Sequence, residues 1–294
     1  MIERIEKPDK ETGMNTPPSQ QASPPHSPAR TCRVEDVPRW DIETDVAVIC
    51  FGAAGSCAAI EARAAGADVH VFEVAAAPGG SASWSGGEVY VGGSGGTRVQ
   101  REHGFEDSTE DLYTYLMMAG GPGADADRVR VYAENAAAHF DWLEAQGVPF
   151  KGTYLPGKWI EPTTDDTLLW SGSEAAWPFS ARAKPAPRGH TAQFKGWGGG
   201  KVLMEKLCAR AEAVGAIVHC NARAQQLPKT LGDACRHPRA GVRVQDKELG
   251  AAQAGSGDPA HRHRAVLARR CQLEGRSAGR HHRPGPRARE GRRL

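Results

Sequence analysis

Gly52 and Gly55 stand three residues apart just after the apolar run Val46–Ile49, and Glu73 follows Gly52 by twenty-one residues. Each residue type suits one step in holding a phosphate-linked ligand. Gly52, lacking a Cβ, lets the backbone approach a pyrophosphate. Gly55 lets the following helix lie close on the strand, and that helix aims its free N–H groups and positive dipole end at the phosphates. Glu73 closes a second apolar run, Val69–Phe72, where a carboxylate can accept hydrogen bonds from ribose hydroxyls and disfavours a 2′-phosphate. Asp45 to Glu73 thus reads as a buried parallel strand, a glycine turn, a small-residue helix and a second strand, an arrangement that seats a dinucleotide. One position departs from it. Cys50 takes the place of the first of three glycines, so the local φ either suits a Cβ or strains the turn. The plainer alternative is an ordinary βαβ unit whose glycines serve packing alone.

The residues after Glu73 separate one dinucleotide from another. Pro78-Gly79-Gly80-Ser81-Ala82-Ser83-Trp84-Ser85-Gly86-Gly87 is a run of small residues with hydroxyls at intervals, able to wrap N–H and Ser donors around phosphates and a flavin edge. NAD-dependent chains usually have no such loop at this place, although a flexible surface linker has similar composition. Val89-Tyr90 follows it, and further on come Pro187-Arg188-Gly189-His190 and Gly198-Gly199-Gly200-Lys201-Val202-Leu203. On these motifs, residues 42–227 resemble the FAD-dependent oxidoreductases of the fumarate reductase and succinate dehydrogenase flavoprotein type, which include 3-ketosteroid dehydrogenases. The resemblance implies a Rossmann-like α/β fold with FAD as cofactor. It implies that Gly52, Ala53, Ala54 and Gly55 face the pyrophosphate and Glu73 the adenosine ribose, while Gly80, Ser81, Ser85, Gly86 and Gly87 make the other flavin contacts. It also implies that the strand-like piece from Ile217 returns to the adenine, with the Ala224 backbone as the contact.

Composition sets outer bounds. The 294 residues are 39% hydrophobic and 24% charged, ordinary for a soluble protein of one large or two smaller domains. No apolar run reaches the length of a membrane span, and the polar, proline-rich start lacks a signal-peptide core, so a cytoplasmic address is expected. The seven cysteines are scattered without metal-ligand or disulfide spacing, which predicts reduced thiols, no metal site and no iron–sulfur centre. The net charge of +2 hides an asymmetry: from Pro228 onward fourteen Arg and two Lys face six acids.

Residues 1–40, rich in Pro, Ser and Gln, predict a disordered extension. Residues 41–227 form a partial FAD-binding domain. Within it, Ser108 and Asp111 suit a helix start, and Val129, Ala133, Ala136, Phe140 and Leu143 repeat at helical steps until Gly147. Residues 151–198 hold Trp159, Trp170, Trp177 and Trp197 among glycines and prolines without a sustained period, an irregular aromatic-rich insertion expected either to face substrate or to anchor a surface segment. A helix from Lys201 to Val214 is stopped by Gly215. Residues 228–294 read as a basic, low-complexity, disordered tail. There Ala265-Val266-Leu267-Ala268 begins like the family's next strand and then gives way to arginines, so the fold is expected to be incomplete, through truncation or a shifted frame. A nucleic-acid-binding arm is the competing reading of the tail.

In the resembled family the flavin carries hydride to or from a carbon–carbon bond beside a carbonyl or carboxylate, on 3-ketosteroid-like or fumarate-like substrates. No catalytic residue is assigned on this basis, and the redox partner stays open. Arg188 and His190 are the foremost pocket charges, against the alternative of a solvated turn; Tyr154 is a weaker candidate, and His139 suits packing. A non-catalytic remnant is the rival to an enzyme.

Overall fold

The computed structural model describes residues 33, 36–160, 164–226, 239–246 and 263–269. The expected disorder of residues 1–40 falls almost entirely outside these, as does that of 228–238, 247–262 and 270–294.

Three small sheets and five helices make up the described chain. The first sheet is parallel and has the order β2 (Val46–Ile49), β3 (Val69–Phe72), β8 (Ile217–His219). Its strands follow the apolar runs of the sequence because both faces are covered. Val69 and Val71 are fully buried against α1 (Ala53–Ala64) and α5 (Gly199–Ala213), while Phe72 turns to the opposite face and packs on Ala222 and Val244. That opposite face is closed by a second, mixed sheet of order β1 (Ile42–Thr44), β11 (His263–Arg269), β10 (Arg239–Asp246), β9 (Ala222–Gln226).

Strands β10 and β11 correct the expectation of a structureless basic tail. Apolar alternation at Val242 and Val244 and the Ala265–Ala268 run supply strand patterns, and arginines between them mask the period.

A third sheet has the order β4 (Glu88–Tyr90), β7 (Gly189–Thr191), β6 (Leu168–Trp170), β5 (Tyr154–Lys158). It corrects the picture of 151–198 as wholly irregular, for three of its strands come from that segment. They are three to five residues long, too short for alternation to show in sequence. Short α2 (Arg98–Glu102) opens with a capping box between Thr97 and Gln100. Helix α3 (Thr109–Gly120) is capped by Ser108, whose hydroxyl accepts from the Asp111 amide, and α4 (Ala126–Ala145) buries Ala133, Ala136, Phe140 and Leu143, the stripe read from sequence.

Among the described glycines, Gly55 leaves the least room for a side chain. A Cβ there would sit 2.0 Å from the Cys50 carbonyl oxygen, so α1 packs on the end of β2 only because Gly55 has no side chain. Gly55→Ala is expected to destabilise the chain by about 1–3 kcal/mol through enforced overpacking, read as a lowered urea midpoint with an unchanged slope.

Candidate cofactor site

The site grows from the hand-over between β2 and α1. Cys50 adopts φ +77°, in the left-handed region that favours glycine, so of the two expectations for this position the strained turn is the one found. Its amide still closes the sheet by donating to the Phe72 carbonyl at 2.9 Å. Phe51 is fully buried and ties three segments together. Its amide donates to Glu73 Oε2 at 2.6 Å, and its carbonyl accepts from the Gly79 amide at 2.8 Å. Glu73, 5% exposed, also takes the Ala75 amide on Oε1 at 2.8 Å. The carboxylate is therefore aimed at the turn and fixed there. A carboxylate offers about four acceptor positions, which leaves capacity for further donors.

Gly52 and Gly55 turn out to do different work. Gly52 has φ −92°, open to any residue, and a Cβ on it would meet nothing nearer than the Gly79 carbonyl at 3.8 Å. Neither backbone nor packing requires glycine there. The space beside it is a cradle that a side chain would fill, next to the start of α1, where Gly52 gives the first-turn amides no side-chain cap and the first turn holds no acid. Bare helix N–H groups and an empty cradle suit a pyrophosphate, so the residues present fit a dinucleotide. Packing alone accounts for Gly55, but not for Gly52.

The glycine-serine loop forms a 3-10 turn over Gly80–Trp84. Its start joins the cradle, since a Cβ on Gly80 would lie 3.5 Å from the Gly52 Cα. Ser81 is exposed beside it. The end of the loop packs instead on α5. A Cβ on Gly87 would fall 2.2 Å from the Gly199 carbonyl carbon, one on Gly199 2.4 Å from the Gly86 oxygen, and the Gly200 amide donates to the Ser85 carbonyl at 3.1 Å. The Ser85 hydroxyl donates to the Ala82 carbonyl and accepts from the Gly87 amide. Close packing on the loop thus accounts for Gly199 and Gly200, where a Cβ would fall 2.4 Å from the Gly86 oxygen and 2.3 Å from the Ala82 oxygen, while Gly198 holds φ +123°, in the left-handed region; this packing role escaped sequence reasoning although the triplet itself was visible. Ala224 lies in β9 opposite Val244, beyond the turn at Asn221, and its side chain packs with Phe72 and Ala222.

Arg188 and His190, expected as pocket charges or as a solvated turn, are neither: both are fully buried. Arg188 donates through Nε and Nη2 to Asp107 at 2.8 and 2.7 Å, with its cation 5.1 Å from the Tyr115 ring centre. His190 is held by Thr97 Oγ1 at 2.8 Å and the Arg188 carbonyl at 2.9 Å, and burial pushes its pKa down to about 4. Nδ1 faces a carbonyl, so it carries the proton and Nε2 accepts from Thr97. A neutral buried imidazole stabilises the fold above its unfolded pKa, and that contribution is lost as pH falls from about 6.5 to about 4, by about 3 kcal/mol. Denaturant unfolding across this window should show the loss, and His190→Asn should flatten it. Tyr154 is half-buried and accepts from the Trp170 indole at 2.8 Å, while His139 is exposed and stacks on Trp142.

Of the expected aromatic wall, Trp177 and Trp197 are largely exposed. An open cleft of about 640 Å3 lies between the Gly80–Trp84 turn and α5, lined by Pro78, Trp84, Phe194, Trp197 and Met204. It shares Gly79 with the cradle but includes neither Gly52 nor Glu73. Among the described residues no three His, Cys, Asp or Glu side chains gather as metal ligands, and no helix is long and apolar enough to cross a membrane.

Residues 45–292 match the family model described as FAD binding domain. The chain belongs to this family. FAD is accordingly its cofactor. Among relatives of the FAD binding domain family, the 3-oxo-5-alpha-steroid 4-dehydrogenase of Comamonas testosteroni is 34% identical over 196 residues, 65% of this chain and 36% of that protein. The digoxin reductase of Eggerthella lenta is 32% identical over 53% of this chain and 27% of its own length. In three dimensions the chain is similar to the 3-ketosteroid-delta4-(5alpha)-dehydrogenase of Rhodococcus jostii RHA1, solved in complex with 4-androstene-3,17-dione. The TM-score is 0.72 at 39% identity, covering 82% of this chain and 47% of that one. The chain therefore spans about a third of the length of these curated relatives and about half that of the solved structure.

Proposed function

We propose that the protein works as an FAD-dependent oxidoreductase on a carbon–carbon bond adjacent to a carbonyl or carboxylate, with a 3-ketosteroid-like substrate favoured over a fumarate-like one. The observation that carries this reading is the 39% identity to a steroid-bound 3-ketosteroid dehydrogenase structure at TM-score 0.72, joined to a cradle at Gly52 that the protein's own atoms leave open. Bound FAD supplies hydride transfer at its flavin ring.

The chain's own residues seat it. In this reading the amides of Ala53 and Ala54 and the bare backbone of Gly52 take the pyrophosphate at the head of α1, and Gly55 keeps α1 close enough to do so. Glu73, already anchored by the Phe51 and Ala75 amides, offers its remaining acceptor positions to the ribose. Gly80 and Ser81 continue the wall beside Gly52. Ser85, Gly86 and Gly87 act one step back, holding the loop against α5 while their backbone borders the flavin. The Ala224 backbone is assigned to the adenine. The scattered cysteines support a cytoplasmic address.

The test is an assay of the purified full chain with FAD and an artificial electron carrier. Dehydrogenation of 4-androstene-3,17-dione or its saturated counterparts, with no reduction of fumarate, is the expected result. Fumarate reduction without steroid turnover would reverse the substrate assignment, and flavin bound with neither activity would favour the remnant.

A further inference from the structure

Past Glu73 the chain leaves the first sheet for residues 74–77, an exposed run outside any helix or strand. Such a run has few buried contacts to hold it in place, yet the Ala75 amide within it fixes Glu73 Oε1 at 2.8 Å. The turn between β8 and β9 supplies the hold. The Asn221 amide donates to the Ala75 carbonyl at 2.8 Å. Two further bonds of 2.8 Å, from the Glu73 amide to the His219 carbonyl and from the Ala222 amide to the Glu73 carbonyl, tie the same turn to the Glu73 backbone. The position of the carboxylate is therefore set from a segment far along the chain.

Conformation is what Asn221 contributes. Its φ is +56°, in the left-handed region, which Gly enters freely and Asn more readily than most residues, whereas a β-branched residue there is an outlier. This left-handed step carries the chain from β8 into β9 and brings two successive amides, those of Asn221 and Ala222, onto the Glu73–Ala75 segment.

We infer that Asn221 is a positioning residue for the cofactor: by keeping its turn left-handed it fixes the Ala75 amide, and through that amide the Glu73 carboxylate, in place for the ribose of FAD. The inference rests on the reading that Glu73 faces the ribose.

Fluorescence titration of the full chain with FAD and with FMN, which has no adenosine, tests it in Asn221→Gly, Asn221→Ala and Asn221→Val. Binding FAD requires the anchored loop and so restores the turn against the strain of a β-branched side chain, and FAD affinity should fall roughly tenfold in Asn221→Val. The fall should be smaller in Asn221→Ala and no more than about twofold in Asn221→Gly, where left-handed backbone is unstrained. FMN should bind each variant as it binds the parent chain, a split that a general loss of structure would not produce. If valine prevents folding, Asn221→Ala decides by the same split. Glu73→Ala separates this inference from the reading beneath it: the preference for FAD over FMN should shrink there, and a preference left intact would overturn the ribose assignment itself. With that preference reduced in Glu73→Ala, undiminished FAD affinity in both Asn221→Val and Asn221→Ala, an equal fall for FMN, or a loss in Asn221→Gly as large as in Asn221→Val would each overturn the role of Asn221.

Discussion

Gly52→Ala is expected to leave the fold intact and to weaken FAD binding by roughly 10- to 100-fold, the cost of one methyl group forced into a filled site. The two halves of that expectation come from different observations. The fold tolerates the change because φ at Gly52 is −92° and the new Cβ meets nothing closer than 3.8 Å, so a helix-cap difference of only a few tenths to about 1 kcal/mol remains. Binding does not tolerate it because the methyl occupies the place where backbone and pyrophosphate approach each other. Gly55→Ala behaves in the opposite sense, losing stability first and cofactor only as a consequence. Measuring FAD affinity by flavin fluorescence beside urea midpoints for both variants separates a ligand cradle from a packing contact three residues away.

Asp107→Ala is expected to cost about 3–5 kcal/mol, the penalty for stranding a buried guanidinium without its carboxylate. Arg188 and Asp107 are both fully excluded from solvent and joined by two hydrogen bonds. Asp107 also accepts from the Gly93 amide at 3.2 Å, so its loss frees a second buried donor. Removing both charges together, as Asp107→Leu with Arg188→Met, should recover much of the stability, since the desolvation penalty leaves with the pair. Urea unfolding of the single and double variants measures this. A single variant within about 1 kcal/mol of the parent chain would mean that the pair adds little to the fold.

The βαβ unit was legible because its signals are local. Val46–Ile49, Gly52, Gly55 and Glu73 lie within one stretch, and each type has a single physical task at its spacing. Helices α4 and α5 were equally open to reading, since a buried stripe repeats through four or five turns. What stayed hidden was non-local. Strands of three residues in the third sheet carry no period, and β10 and β11 hide theirs among arginines. Arg188 looked like a pocket charge because its partner Asp107 is 81 residues away, and nothing near either residue announces the other. For the same reason Ser85, Gly86 and Gly87 read as ligand contacts, while the structure adds a packing role against Gly199 and Gly200 that only the fold brings within reach.

Seating of an adenine dinucleotide at the head of α1 is tested most directly by titrating the purified full chain with FAD and following the flavin absorbance and fluorescence. Saturable uptake of one FAD per chain, weakened in Gly52→Ala while the urea midpoint holds, is the expected outcome. A colourless protein that takes up no added FAD, or one whose affinity is indifferent to a side chain at Gly52, would contradict it.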